Sequence, residues 1–317
     1  MSTTTTRERP LATVVIPTYN DVEHLLAALE LIRAQTWPHV EIIVADDGSA
    51  TPVEPLVRAW AGCDARVSVV RRPANGGVAA AQQLGLDRAR GEFIYLASTN
   101  DPIEPRFLEA SIGALERHPR AGLCFSDAGI IAGWSDTRHA FPLGLARSET
   151  GFEPDRLAAL LRRRPFHISS NTVVYRTRSI RAVGGCRPDL GLYADWFTSM
   201  VVALREGAAY VPEVFAYSRA HASAYSDRAR WNRAKLAAAV VEAIVAEQPD
   251  ILARLRHSAV LSDFGPLVLI ALQRDKRTRP LVGFEALWVA LLRAGWRRML
   301  PRRSRRLLRQ AVMPEAA

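Results

Sequence analysis

The stretch EIIVADDGS, Glu41 to Ser49, decides the fold of this chain. A short apolar run ends there in two adjacent carboxylates, Asp46 and Asp47, and a similar apolar run, Ala12 to Ile16, precedes it. Continuous valine and isoleucine runs are typical of strands buried on both faces of a parallel sheet, and ligands bind where such strands end. The sequence therefore predicts that Asp46 and Asp47 face a ligand crevice.

Apolar strands alternate with helical segments along the N-terminal part of the chain. The loop Pro17-Thr18-Tyr19-Asn20 follows the first run, and Asp21 then stands where it can cap a helix with apolar residues at helical spacing. The later predicted elements are the strand Val67 to Val70, the turn Asn75-Gly76-Gly77, the helix Val78 to Ala89, the strand Phe93 to Ala97 and the loop Ser98-Thr99-Asn100-Asp101. Three polar loops at one edge of a parallel sheet are typical of a nucleotide site.

Four stretches follow one another in a set order: TVVIPTYND (Thr13 to Asp21), EIIVADDGS, NGGVAAAQQLG (Asn75 to Gly85) and RGEFIYLASTND (Arg90 to Asp101). In this order and spacing the chain resembles the inverting family-2 glycosyltransferases of GT-A fold. The resemblance continues more loosely through Gly184-Gly185, Ala194 to Trp196 and Ser218 to His221, and covers roughly residues 12–225. It implies an α/β fold with a Rossmann-like, mostly parallel sheet flanked by helices.

The resemblance also divides the chain into three parts. We expect residues 1–10 to form a loose tail, residues 11–225 the GT-A domain, and residues 226–317 a helical, basic C-terminal extension. Within the GT-A domain, residues 11–127 are the expected nucleotide-sugar half and residues 128–225 the acceptor half.

The composition is that of an ordinary globular protein, because 49% of its 317 residues are apolar and 23% are charged. The segment Met1 to Arg9 lacks the apolar stretch of a secretory signal. Three scattered cysteines, Cys63, Cys124 and Cys186, suggest neither a disulfide framework nor a thiolate metal site. We therefore expect a cytoplasmic protein.

Positive charge is concentrated at the C-terminus. From Arg274 onward there are 12 lysines and arginines against 3 acidic residues, which accounts for most of the net charge of +10. Tryptophans and leucines between Leu287 and Leu300 lie near one helical face, with arginines following, which is typical of a helix lying on an anionic bilayer. The apolar run Leu281 to Leu292 is shorter than the about 20 residues that a membrane-spanning helix needs.

Two other interpretations of this basic segment stay open. It is equally typical of a packed helix pair with a solvated arginine face. Nucleic-acid binding is disfavoured, because the tryptophans stand at helical spacing and form no stacking platform interleaved with arginine. We therefore expect an anionic membrane surface, and no nucleic acid, as a partner of this segment.

The chemistry implied by the resemblance is attack of an acceptor hydroxyl on the anomeric carbon of a nucleotide sugar, with UDP or dTDP as the expected nucleotide. The residues expected to bind the nucleotide sugar are Pro17, Thr18, Tyr19, Asp46, Asp47, Asn75, Gly76, Gly77, Asn100 and Arg219. A strand-end carboxylate can accept hydrogen bonds from a base, and a tyrosine offers an aromatic wall. The structural alternatives are that Asp46 caps the next turn through an Asx bond and that Tyr19 lies in the core.

The expected metal loop departs from the family pattern. Ser98, Thr99 and Asn100 align with the family's D-x-D positions and Asp101 follows them, so two expected carboxylates are missing. Asn100, Asp101 and His221 are the predicted ligands of a divalent cation, Mg²⁺ or Mn²⁺. Either the cation binds weakly, with help from the substrate's phosphates, or cationic side chains replace it; Asp101 can also simply cap the following helix.

The second half of the resemblance supplies the acceptor side. Asp195 matches the family's catalytic base at the start of a helix, although an aspartate there is also a common N-cap. Trp196 and His167 are expected to contact the acceptor. Three acceptors stay open, namely a polyprenyl-linked glycan, a polysaccharide end and a small natural product, and the basic tail slightly favours the lipid-linked one.

Two rival functions fit the same sequence less well. A sugar nucleotidyltransferase needs a glycine-rich, basic loop after the first strand to hold a triphosphate, and this chain has PTYND there. A degenerate, noncatalytic binding or scaffold protein would explain the missing D-x-D carboxylates. The presence of Asp195 and His221 argues against that alternative, so the sequence predicts an inverting hexosyltransferase.

Overall fold

The computed structural model describes residues 9–132, 137–164, 166–220 and 233–256, together with positions 261, 269, 270 and 273. Its strands are β1 (Ala12–Thr18), β2 (Val40–Asp46), β3 (Val67–Arg71), β4 (Phe93–Leu96), β5 (Leu123–Ala132), β6 (Arg138–Phe141), β7 (Thr150–Phe152), β8 (Val173–Arg176) and β9 (Ala208–Ala220). Its helices are α1 (Val22–Arg33), α2 (Glu54–Ala61), α3 (Val78–Arg88), α4 (Phe107–Arg117), α5 (Pro154–Arg163), α6 (Thr177–Ala182), α7 (Ala194–Glu206), α8 (Arg233–Glu247) and α9 (Leu252–Arg256).

The strands of the described residues form one sheet in the order β3-β2-β1-β4-β8-β5-β9-β7, with β6 paired to β5. The first four strands are parallel, as the sequence predicts. Beyond β4 the sheet is mixed, because β8 is antiparallel to both of its neighbours whereas β5 and β9 are parallel. The α/β fold is therefore confirmed, and strands of the two predicted halves share one sheet.

Helices cover both faces of the sheet, which explains the continuous apolar runs. Every residue of β1 and β2 is buried. Successive residues of β1 alternate between two apolar clusters: Val15 belongs to the cluster that includes α7, and Val14 and Ile16 to the one that includes α1 and α4. A strand buried on both faces has no polar side to show in its sequence.

Helix α1 confirms the predicted spacing, since Leu25, Leu29 and Ile32 are buried. Asp21 occupies the expected N-cap position of α1, but its side chain makes no hydrogen bond to the backbone there. Val22, the first apolar residue of the predicted pattern, is 43% exposed.

The polar loops meet at the carboxyl ends of the parallel strands. The loop after β2 bends at Gly48, whose φ of +75° favours glycine, and a Cβ there would lie 2.8 Å from the backbone of Ala74. The loop after β2 therefore lies directly against the loop that follows β3. Among the described helices, none is both long and apolar enough to cross a membrane.

Glu41 is a buried carboxylate that joins three segments at the opposite end of the sheet. It accepts hydrogen bonds from the Thr13 hydroxyl at 2.5 Å and from the backbone N–H and Nε of Arg90 at 2.6 and 2.8 Å. Burial by itself raises the pKa of Glu41, but the hydrogen bonds from Thr13 and Arg90 outweigh it and hold that pKa below its ordinary value.

Glu41→Gln is expected to lower the free energy of unfolding by about 1–3 kcal/mol near neutral pH, because the new amide N–H₂ faces donors. Since the pKa of Glu41 is depressed in the folded state, its contribution is present above the ordinary pKa and is lost as pH falls through the folded pKa. Urea unfolding at neutral and acidic pH measures both effects. A deficit that does not shrink in acid would contradict this account, and exposed Glu116→Gln serves as the control.

Candidate active site

A cavity of about 480 Å³ opens where the parallel strands end. Its wall combines the ends of β1 and β4, the start of α3, the segment before β8, the start of α7 and the end of β9. The polar described residues that line it include Asp21, Gln82, Ser98, Thr99, Asn100, Asp101, Asn171, Asp195, Ser218 and Arg219. This volume is in the range of small-ligand sites, which span about 300–1,000 Å³.

Asp46 ends β2 and is buried, with its carboxylate bonded within the protein. Oδ1 accepts the backbone N–H of Ser49 at 2.8 Å, and Oδ2 pairs with the Arg71 guanidinium. Burial by itself raises the pKa of Asp46, but the hydrogen bonds from Ser49 and Arg71 outweigh it and keep that pKa below its ordinary value. The Asx bond considered as an alternative is present, and the nucleotide role of Asp46 stays a prediction.

Asp47 holds the predicted glycine turn in place. Its carboxylate accepts the backbone N–H of Gly76 at 3.0 Å and of Gly77 at 2.8 Å, and Arg72 Nε lies 3.2 Å from it. The loops after β2 and β3 are therefore joined, as the sequence predicts for the sheet edge. Asp46, Asp47 and the turn Asn75-Gly76-Gly77 do not line the cavity itself.

The loop after β1 divides its residues between the interior and the surface. Pro17 lines the cavity, Thr18 is buried, and Tyr19 is 48% exposed. Tyr19 therefore does not lie in the core, which was the structural alternative for it. Its exposed ring remains a candidate wall for a nucleobase.

The loop after β4 forms one side of the cavity. The Ser98 hydroxyl donates to Asn100 Oδ1 at 2.6 Å. Asp101 Oδ1 accepts the backbone N–H of Arg219 at 3.0 Å, and Asn171 Nδ2 lies 3.5 Å from Oδ2. Asp101 does not cap α4, whose N-cap is Arg106. The predicted residues Asn100, Asp101 and Arg219 are thus brought together on one wall.

Burial raises the pKa of Asp101 to about 6, against the opposing effects of the Arg219 N–H, the Arg219 charge and the Asn171 amide. Asn171 is itself buried and also donates to Ser218 Oγ at 3.1 Å. This asparagine therefore links the loop after β4 to the end of β9.

The oxygen atoms on this wall suit Mg²⁺ or Mn²⁺, which commonly use one or two carboxylates completed by water and substrate phosphates. Within the described part of the chain, no three acidic, histidine or cysteine side chains gather as a cation site. Asp101 and Asn100 offer one carboxylate and one amide oxygen, so a cation here would need water and substrate phosphates to complete its coordination. His221, the third predicted ligand, lies outside the described residues.

Asp195 is the second residue of α7, and its exposed side chain lines the cavity. Oδ1 accepts the backbone N–H of Trp196 at 2.9 Å, and Tyr193 occupies the N-cap position. The N-cap alternative for Asp195 is therefore wrong. The exposed oxygens of Asp195 can reach an acceptor hydroxyl in the cavity, which is the geometric requirement for a general base.

The two predicted acceptor residues lie outside the cavity wall. Trp196 is 5% exposed and packs in the apolar cluster around α7, and His167 is exposed. Their contact with an acceptor stays a prediction.

The cavity residues that were not expected from the sequence as ligand-binding groups include Asp21, Gln82 and Asn171. The position of Asp21 directly after the loop of β1 was a usable signal, because that loop ends at the same sheet edge as Asp101. Asn171 gave no such signal, since its approach depends on the antiparallel pairing of β8 with β4.

Comparison with known families matches residues 13–181, more than half of the chain, to the family described as glycosyl transferase family 2. The chain is 32% identical over 180 residues to the uncharacterized protein y4gI of Sinorhizobium fredii. This alignment covers 56% of this chain and 18% of that protein. The chain is also 34% identical over 99 residues to glycosyltransferase GlyG of Streptococcus pneumoniae. That alignment covers 31% of this chain and 33% of GlyG. The chain thus spans a third or less of the length of these relatives.

Two solved structures share the fold. Staphylococcus aureus TarS 1-349, in complex with UDP, has a TM-score of 0.60 and 16% identity over 95% of this chain and 78% of that chain. The mannosyltransferase PcManGT of Pyrobaculum calidifontis, in complex with GDP-Man and Mn²⁺, has a TM-score of 0.58 and 18% identity over 96% of this chain and 84% of that chain. At these identities the likeness shows the fold alone.

Asp101→Asn is expected to raise the melting temperature of the ligand-free protein above pH about 6, and to change it little near pH about 4. A carboxyl whose folded pKa is raised contributes stability below its ordinary pKa and loses it as pH rises through the folded pKa. Thermal unfolding of both proteins across this range measures the difference. A variant that is less stable than wild type at alkaline pH would show that the ionised carboxylate is stabilising.

Proposed function

The chain belongs to glycosyl transferase family 2, and we propose that it transfers a hexose from a UDP- or dTDP-linked donor to an acceptor hydroxyl with inversion at the anomeric carbon. The main support is the exposed carboxylate of Asp195, which lines the same cavity as Asp101 and Arg219. Displacement of a nucleoside diphosphate by an acceptor hydroxyl needs a base and a diphosphate-binding wall in the same cavity.

In the proposed reaction Asp195 accepts the proton of the acceptor hydroxyl while that oxygen bonds to the anomeric carbon. The bond between the anomeric carbon and the phosphate oxygen breaks in the same step, and the nucleoside diphosphate leaves with the electron pair. Attack on the face opposite to the leaving group inverts the anomeric configuration. The start of α7 holds Asp195 in position, because Oδ1 accepts the N–H of Trp196.

The charge of the cavity wall supports a requirement for a divalent cation. Among the described lining residues, Asp21, Asp101 and Asp195 carry carboxylates, and Arg219 carries a guanidinium. A diphosphate adds further negative charge to this acidic cavity, and like charges repel strongly away from bulk water. Asp101 and Asn100 would hold the cation, whose chemical contribution is to neutralise charge on the diphosphate.

The solved relatives in fold support a nucleotide-sugar donor, since TarS binds UDP and PcManGT binds GDP-Man with Mn²⁺. For the acceptor we favour a lipid-linked saccharide over a polysaccharide end or a small natural product. The support is the arginine-rich segment after Arg274, which suits an anionic membrane surface on the cytoplasmic side. That segment lies outside the described residues.

Asp195→Asn is expected to lower the rate of sugar transfer by at least about a hundredfold, while the affinity for the nucleotide sugar changes little. The amide cannot accept the acceptor proton, but it keeps the size of the side chain. Transfer assays and donor titrations on the same preparation separate the two effects.

Asp189→Asn is the matched control, because Asp189 pairs with Arg187 at the surface and does not line the cavity. Loss of donor binding in Asp195→Asn would contradict the role of Asp195 as base. Absence of both donor binding and turnover in the wild-type protein would favour the noncatalytic scaffold instead.

Removal of divalent cations with EDTA is expected to weaken binding of UDP at least about tenfold, and Mn²⁺ is expected to restore it. Isothermal titration with UDP in EDTA and in excess Mn²⁺ measures the difference. Equal affinity in the two conditions would show that other groups neutralise the diphosphate.

A further inference from the structure

Asp21 departs from the ordinary behaviour of an aspartate that precedes a helix. It stands at the N-cap of α1, where a carboxylate usually accepts a backbone N–H of the first turn, yet its side chain makes no such bond. Oδ2 instead accepts the Thr99 hydroxyl at 3.0 Å, and Oδ1 lies 2.6 Å from Nδ1 of His24. The carboxylate is therefore held toward the loop that follows β4.

This arrangement directs Asp21 into the cavity with part of its surface open. Its side chain is 33% exposed, and it lines the same wall as Ser98, Thr99 and Asn100. A carboxylate has about four lone-pair sites, so the contacts with Thr99 and His24 leave acceptor capacity for a ligand.

The chemistry of a nucleotide sugar limits what this carboxylate can bind. The diphosphate is repelled by a carboxylate, whereas the hydroxyls of the sugar are hydrogen-bond donors that two carboxylate oxygens can accept. The anomeric carbon must also lie within reach of the base, and Asp195 lines this same cavity. Ribose hydroxyls and a base N–H can donate to a carboxylate as well, but the sugar ring carries the anomeric carbon, so it is the part of the donor that fits best beside Asp21.

We propose that Asp21 is a donor-sugar-binding residue, whose carboxylate accepts hydrogen bonds from the sugar hydroxyls. This inference rests on the proposed transferase function and concerns the same cavity. Thr99 orients the Asp21 carboxylate by donating its hydroxyl. Asp21 thus supplies a carboxylate from the loop of β1 beside the loop of β4, in which Ser98, Thr99 and Asn100 carry none.

Asp21→Asn tests the proposal, because asparagine keeps the size of the side chain and an oxygen that can accept the Thr99 hydroxyl, so folding should stay intact. Binding is measured with Mn²⁺ present for UDP-glucose, UDP-N-acetylglucosamine, dTDP-glucose and GDP-mannose, and for UDP, dTDP and GDP. We expect the affinity for the donor that wild type binds to fall by about tenfold or more, as for a lost charged hydrogen bond. The affinity for the matching free nucleotide should stay unchanged.

Glu23→Gln is the charge-matched control, since Glu23 is exposed in the first turn of the same helix and does not line the cavity. Thr99→Val should show part of the loss of donor affinity, because it removes the hydroxyl that orients Asp21. Thr99→Ser keeps the hydroxyl and should bind the donor as wild type does. The melting temperature of every variant is measured as well. For the Asp21 and Glu23 variants it should equal that of wild type.

Three results would overturn the role of Asp21. Unchanged donor affinity in Asp21→Asn would exclude the proposed contact. An equal loss for the nucleotide sugar and for the free nucleotide would assign Asp21 to the cation or to the ribose and base of the nucleotide. A fall in melting temperature with both losses would make it a structural residue. Failure of wild type to bind every nucleotide sugar and nucleotide would instead overturn the proposed function, and this inference with it.

Discussion

The parallel pairing of β1 with β2 on one side and β4 on the other is the constraint on which the rest of the structure depends. β1 is buried along its whole length, so its backbone N–H and C=O groups need partners in the neighbouring strands. Since both neighbours run parallel to β1, all three strands end at one edge of the sheet. The loops that follow them are thereby brought together, and the cavity lies among them.

The carboxylates of this sheet fall into two physical groups. Glu41, Asp46 and Asp47 are buried, and each accepts backbone N–H bonds and faces an arginine, so they join neighbouring loops. Asp21 and Asp195 keep part of their surface open to the cavity. Buried, fully bonded carboxylates hold strand ends and their adjoining loops together, whereas partly exposed ones retain acceptor capacity for a ligand.

Asp101 stands between these groups. Its oxygens meet an N–H of Arg219 and the amide of Asn171, yet burial still raises its pKa to about 6. A carboxylate in this state costs stability when it is ionised, and such a cost is common where a site must receive a charged ligand. Its position beside Asn100 places one carboxylate and one amide of the loop after β4 on the cavity wall, although the D-x-D carboxylates are missing.

The sequence by itself determined the α/β fold, the parallel strands β1 to β4 and the location of polar loops at their ends, because two-sided burial and helical spacing are local patterns. Asp101 was also predictable as a cavity residue, since it follows the end of a strand, whereas Asp195 was predicted through the family resemblance. Only the tertiary structure decided which carboxylates are used for contacts within the protein. Asp46 is bonded to Ser49 and Arg71, and Asp47 to the glycine turn. Asp21 is directed toward Thr99. These contacts mostly join residues of separate loops. The order and packing of the strands set where those loops lie relative to one another, and no local sequence pattern reveals that order.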